Sequence, residues 1–125
     1  MDRVRFITHR GKQVLLIDSS HCTPELALRN ANEAQRIVGT HPLKSVLILT
    51  DLTDMQISRE FVTRAKEVAV LNRPFVKRSA LVGAQSLPGV FYKAIKTFSQ
   101  REFPRFNTRE EALDWLVAEE HLAAS

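Results

Sequence analysis

The chain has 125 residues, of which 44% are hydrophobic and 26% are charged. These fractions are those of a globular protein and exclude an intrinsically disordered chain. The length predicts one domain, residues 1–125, that buries a core without disulfides or structural metals. Cys22 is the one cysteine, no apolar run approaches the roughly 20 residues of a membrane span, and the first residues lack a secretory apolar segment. We therefore expect a soluble cytoplasmic protein.

The formal net charge is +4, with a sequence pI of about 9.6. Basic residues concentrate between positions 73 and 105, where one acid, Glu102, accompanies them. This basic band consists of Arg73, Lys77, Arg78, Lys93, Lys96, Arg101 and Arg105. Such a band attracts acidic proteins, nucleic acids or anionic membranes, but a solvated helix face carries the same residues. The phenylalanines between them have spacings that suit burial more than base stacking, so a nucleic acid is the less expected partner.

A hairpin and a helix open the chain. "VRFIT" (4–8) alternates polar and apolar residues like a half-buried strand, "HRGK" (9–12) is a glycine-containing turn, and "QVLLIDS" (13–19) predicts a second, more buried strand. The next segment predicts a helix with Thr23 as its N-cap and Gly39 at its end.

Two strand–helix units follow. "SVLILT" (45–50) is a continuous apolar run, typical of a central strand that is covered on both faces. Ser58 begins the second helix, and "NRP" (72–74) ends it because proline disfavours helical geometry at the preceding residue. "FVKRSALVG" (75–83) predicts the fourth strand, and "LPGVFYKAIKTFSQ" (87–100) the third helix.

The last strand and helix complete the order. "FPRFN" (103–107) predicts a short edge strand, where proline is tolerated. Thr108 and Glu111 form a capping box for a final helix through Leu116. The order β-β-α-β-α-β-α-β-α predicts a single α/β domain with a mixed, mostly parallel sheet flanked by helices.

Ligands of such sheets gather beyond the carboxyl ends of the strands. Polar segments occupy three of these ends, at residues 19–22, 50–54 and 83–86. The candidate binding residues at this edge are Asp51, Thr53, Asp54, Ser58, Gln85 and Ser86.

Catalysis is not expected at this edge. Cys22 and His21 are adjacent, and adjacent side chains rarely point at each other, so a thiol nucleophile with its base is not indicated. Asp51 and Asp54, with Asp18 as the one helper, offer too few oxygen ligands for a hard cation. The histidines lack zinc spacing, and no glycine-rich phosphate loop is present. We therefore predict no enzyme, no metal and no cofactor.

Ser58 has two interpretations. As an N-cap, its hydroxyl accepts a hydrogen bond from a free backbone N–H of the second helix. A phosphate on Ser58 would lie at the positive end of the helix dipole and would sharply change the surface potential. The residues themselves leave both a plain cap and a phosphoacceptor open.

Three segments resemble STAS-like domains of the anti-sigma-factor antagonist class. They are "GKQVLLIDSSHCTPEL", "SVLILTDLTD" and the stretch from "NRPFVKRSALVG" to "EEALDWLV", which together span about residues 11 to 117. The resemblance is strongest to short bacterial proteins labelled SpoIIAA-like or STAS/SEC14-domain. It implies a sheet of four or five strands with helices that acts as a protein-interaction module.

The resemblance also bears on Ser58. In anti-sigma antagonists, a partner kinase phosphorylates a serine at the start of the second helix. Ser58 in "TDMQISREF" occupies the nearest position, without the second serine and the glycine of that motif. The SEC14 part of the label implies lipid binding.

We therefore expect a non-enzymatic regulatory domain that binds a protein through the edge near Asp51 to Ser58 and the adjoining helix. The alternative is a small apolar ligand or an anionic membrane surface, because the third helix has an apolar stripe opposite Lys93 and Lys96. That stripe is Val90, Phe91, Ile95 and Phe98. Exposed apolar surface on the second helix, at Val70, or on the third helix would serve a homodimer.

Overall fold

The computed structural model describes residues 2–118, apart from the side chain of Ser86. The strands are β1 (Val4–His9), β2 (Lys12–Asp18), β3 (Val46–Asp51), β4 (Val76–Val82) and β5 (Arg105–Phe106). The helices are α1 (Pro24–Val38), α2 (Arg59–Asn72), α3 (Gly89–Ser99) and α4 (Arg109–Val117). Short 3-10 turns, Arg73–Phe75 and Ala84–Ser86, flank β4. The predicted order of strands and helices is confirmed.

The five strands lie in the sheet in the same order as in the chain. β1 pairs antiparallel with β2, and the remaining neighbours pair in parallel. Each crossover from β2 to β5 steps in the same direction, and because such crossovers are almost always right-handed, α1, α2 and α3 lie on one face. α4 follows β5 and covers the opposite face. The predicted mixed, mostly parallel sheet is confirmed.

The alternation of side chains along β2, β3 and β4 places apolar residues in the core on both faces of the sheet. The core beneath α4 contains Val14, Leu16, Leu47, Leu49, Ala80, Val82, Ala112, Leu116 and Val117. The core beneath α1 contains Leu15, Ile17, Val46, Ile48, Ala34 and Val38. Since β2 and β3 are covered on both faces, their sequences read as uninterrupted apolar runs.

Side-chain caps begin three of the helices. The Oγ1 atom of Thr23 accepts a hydrogen bond from the N–H of Leu26, and Oγ of Ser58 accepts one from the N–H of Phe61. Oγ1 of Thr108 accepts one from the N–H of Glu111. The Glu111 carboxylate accepts a hydrogen bond from the Thr108 hydroxyl, whereas in the predicted capping box it would accept one from the Thr108 backbone N–H.

The helix α3 packs mainly on α2. Its inward face includes Phe91, Tyr92, Ile95 and the buried Ser99, whereas other apolar residues of the helix fall outside this face. Val90 is 71% exposed and Phe98 is 57% exposed. The predicted apolar stripe of α3 is therefore divided between the interior and the surface. None of the helices within residues 2–118 combines the length and apolar character needed to cross a bilayer.

Candidate functional site

Asp51, the last residue of β3, is buried at the carboxyl edge of the sheet and is 5% exposed. Its Oδ1 accepts hydrogen bonds from the backbone N–H of Thr53 at 2.9 Å and from the Thr53 hydroxyl at 2.6 Å. Its Oδ2 accepts one from Nε of Arg109 at 2.7 Å. Both oxygens are thus engaged within the chain, where they hold the loop after β3 and the start of α4.

A second carboxylate, Asp18, ends the neighbouring strand β2. Its Oδ1 accepts a hydrogen bond from the Ser20 hydroxyl at 2.5 Å, and it lies 3.2 Å from Nη2 of Arg109 and 3.8 Å from Nη1 of Arg3. Burial raises the pKa of Asp18, but the hydrogen bonds from Ser20 and the charges of Arg109 and Arg3 outweigh it, so the pKa lies below its usual value. One guanidinium, that of Arg109, therefore spans two strand-end carboxylates.

No motif in the neighbouring sequence marks Arg109 as a site residue, but the topology of the sheet brings it to this edge. It is the first residue of α4, directly after β5, so it lies at the same edge as the ends of β2 and β3. A basic residue just beyond the last parallel strand is the sequence signal for this contact, because the carboxyl ends of parallel strands share an edge.

The other candidate residues lie apart from one another along this edge of the sheet. Asp54 is exposed and its Oδ2 lies 3.5 Å from Nδ1 of His21. Ser58 caps its own helix, and Gln85 is exposed on the turn after β4; the Ser86 side chain lies outside the described part. No hydrogen bond between described residues links Ser58 or Gln85 to Asp51, and no group of three or more His, Cys, Asp or Glu residues within residues 2–118 is placed to hold a metal ion. Phosphorylation of Ser58 stays a prediction.

The backbone itself fills part of this edge. Gly83, after β4, has a φ of +71°, and a Cβ built on it would lie 2.6 Å from Cα of Thr53. The loop after β3 therefore abuts the end of β4. Further backbone hydrogen bonds join the loops, from the N–H of His21 to the carbonyl of Thr53 and from the N–H of Gln56 to the carbonyl of Cys22.

The thiol of Cys22 lies beneath these loops and is 1% exposed. Nη1 of Arg3 donates a hydrogen bond to its sulfur at 3.2 Å, and Asn30 approaches from α1. Burial raises the pKa of Cys22 above its ordinary value, which disfavours the reactive thiolate. The neighbouring His21 side chain approaches Asp54.

A cavity of about 120 Å³ lies between the sheet and the three helices α1, α2 and α3. Its sheet side includes Ile17, Ile48 and Leu81. The helices contribute alanines to its wall: Ala27, Ala31 and Ala34 from α1, and Ala65 and Ala69 from α2. These positions fall on the apolar arcs expected of core-facing helices, and their small side chains leave a space that leucines would fill. The cavity was not predicted, because alanine at such positions also suits close helix packing.

Arg101, just after α3, brings a charge to the wall of this cavity. Its Nη1 donates to the carbonyl of Ala69 at 3.1 Å, its Nη2 donates to the Ser79 hydroxyl, and its guanidinium carbon lies 4.7 Å from the centre of the Phe103 ring. Within the described residues, no carboxylate forms an ion pair with Arg101. Burial lowers the pKa of Arg101 to about 10, so the group remains charged at neutral pH.

The basic band of the sequence does not form one surface. Arg101 lies at the helix-side cavity, whereas Arg78 lies over the Trp115 ring on the α4 side and donates to the Trp115 carbonyl. Lys96 pairs with Glu102 at 3.2 Å. The band is therefore divided between two faces of the sheet.

The chain is similar in structure to a solved protein from Shewanella loihica PV-4, an uncharacterized protein from the DUF3478 family with a SpoIIAA-like fold. The two share 18% sequence identity and a TM-score of 0.65, over 90% of this chain and 91% of the other. No protein-family model matches the sequence, and no curated protein matches it. The chain thus has a SpoIIAA-like fold, as its sequence resemblance implies.

Proposed function

We propose that this protein is a non-enzymatic binding domain that holds a small, largely apolar molecule in the cavity between the sheet and α1–α3. The observation that carries the proposal is the cavity itself, about 120 Å³ in volume with mostly apolar walls. An engineered apolar cavity of about 150 Å³ binds benzene, so the space suits roughly five non-hydrogen atoms. Apolar walls with a few polar groups are the usual lining of a small-molecule site.

The alanines on α1 and α2 support this proposal. Protein interiors are normally packed as densely as organic crystals, and unfilled space lowers stability. Ala31 on α1 and Ala65 on α2 both line the cavity, and larger apolar residues at these positions would reduce its volume. Because an unfilled cavity lowers stability, its presence here favours a ligand whose atoms restore the missing packing contacts.

Filling the cavity tests the proposal. We expect 1-butanol to bind the wild-type protein, with NMR shifts at Ile48, Leu81 and Ile95, and we expect Ala65→Leu to weaken binding about tenfold or more. The matched control is Thr63→Leu, which adds a leucine on the exposed side of the same helix and should leave binding unchanged. If butanol leaves the lining residues unshifted, or binds Ala65→Leu as well as wild type, the proposal is wrong.

A second proposal is that the outer surface of α2 and α3 binds a protein, as a regulatory domain or as a homodimer. Val70, Leu71 and Phe98 support it, since they are 40%, 48% and 57% exposed, and a SpoIIAA-like fold is compatible with it. The double variant Val70→Glu, Phe98→Glu should abolish any dimer seen by sedimentation velocity. A wild-type protein that stays monomeric at every concentration would reject the homodimer and leave a different protein as the partner.

Binding of α3 to an anionic membrane, through Val90 and Lys93, stays a prediction that liposome flotation checks.

A further inference from the structure

Arg101 carries a positive charge that the described residues leave without a counter-ion. Its two hydrogen bonds go to neutral acceptors, the Ala69 carbonyl and the Ser79 hydroxyl. The adjacent acid, Glu102, is turned toward Lys96, with its Oε2 3.2 Å from Nζ. A charged group at the wall of an apolar cavity is therefore held in place by neutral partners.

This arrangement costs stability unless an anion completes it. A guanidinium has five N–H donors, so donors remain beyond the two hydrogen bonds to Ala69 and Ser79. Removing such a charge from water without a paired anion is unfavourable, and the pKa of about 10 reflects that cost. Ionisable groups kept in this state in a cleft are candidates for ligand recognition.

We propose that Arg101 binds the anionic end of the ligand, and that the ligand is a monocarboxylate with a short apolar chain. This inference rests on the cavity being a binding site. A planar guanidinium matches a carboxylate with two parallel N–H···O bonds, and one arginine balances one negative charge. The Ser79 hydroxyl accepts from Arg101 and keeps its own proton to donate to a carboxylate oxygen. The apolar chain would then lie against Ile48, Leu81 and Ile95.

The experiment compares three probes of equal chain length: butanoate, 1-butanol and butylammonium. At neutral pH, titration calorimetry of the wild-type protein should show butanoate binding about tenfold or more tightly than butanol, because a charge-assisted hydrogen bond forms. Butylammonium should bind most weakly. Arg101→Gln should remove the preference for butanoate while butanol still binds. Arg59→Gln, which removes the same charge from an exposed position at the start of α2, should keep it.

The outcomes separate this inference from the proposal beneath it. If butanol binds as tightly as butanoate, or if Arg101→Gln keeps the preference for butanoate, the role of Arg101 is wrong and the cavity proposal stands. If none of the three probes binds, both are wrong. Should Arg101→Gln fail to fold, the wild-type order of butanoate, butanol and butylammonium decides the question alone. A purely structural role of Arg101 would lower the melting temperature of Arg101→Gln without changing that order.

Discussion

Gly83 lies where the end of β4 meets the loop after β3, and two separate constraints act on it. Its φ of +71° disfavours any side chain, and a Cβ there would also lie 2.6 Å from the backbone nitrogen and Cα of Thr53. Gly11 has a similar φ of +80°, but a Cβ there would meet nothing within 4 Å. The pair therefore separates the effect of backbone conformation from that of close approach.

We expect Gly11→Ala to lower the free energy of unfolding by about 1 kcal/mol, the usual cost of a left-handed alanine. Gly83→Ala should lower it by at least about 2 kcal/mol more, because the Thr53 backbone must also move. Urea unfolding of the two variants measures the difference. Equal losses of unfolding free energy in the two variants would show that the Thr53 backbone moves away from the added methyl group at no measurable cost.

At the scale of single elements, Ser58 determines where α2 begins. Its hydroxyl accepts a hydrogen bond from the N–H of Phe61 at 3.0 Å. We expect Ser58→Ala to lower the free energy of unfolding by about 1 kcal/mol, since the N–H loses its partner. Ser58→Asp should retain most of the stability, because aspartate also caps helices and its charge suits the N-terminal end of the helix dipole. Urea unfolding checks both variants, and a stable Ser58→Ala protein would contradict the assigned cap.

The local chemistry of each element made its type predictable. Each of these signals acts within a few residues along the chain. They are the apolar runs of β2 and β3, the capping residues Thr23 and Ser58, and the proline after α2. The inward face of α3 was not predictable in the same way. Phe98 and Ile95 are both apolar, and the position of α2 beside α3 decides which of them is covered.

At the scale of the whole molecule, acid should weaken the contact between the sheet edge and α4. The pKa of Asp18 is lowered in the folded protein, so its charged form contributes stability above its unfolded pKa of about 3.9. That contribution is lost as the pH falls through the still lower folded pKa. The difference in unfolding free energy between wild type and Asp18→Asn should therefore be larger at neutral pH than at about pH 2 to 3. Urea unfolding at the two pH values measures it, and an unchanged difference would contradict the assigned role of Asp18.

The topology of the molecule could be predicted, while its long-range contacts could not. The order of strands and helices follows from local patterns and the handedness of crossovers. The contact of Arg109 with Asp51 joins residues 58 positions apart, and that of Arg101 with Ser79 depends on how the segment after α3 meets β4. The candidate residues lie at the carboxyl ends of the strands, and their role in binding stays a prediction. The sequence does not show that both oxygens of Asp51 accept hydrogen bonds from Thr53 and Arg109 of the same chain.

The burial of Cys22 has a practical consequence for following this protein in solution. It is the chain's one sulfhydryl, and it is covered by Arg3, Asn30 and the loops between strands. An alkylating reagent can therefore reach the Cys22 thiol when the start of α1 separates from β2, and the rate of alkylation measures how often that separation occurs. A molecule bound beneath α1 would lower this rate, so alkylation reports ligand binding without a dye or tag.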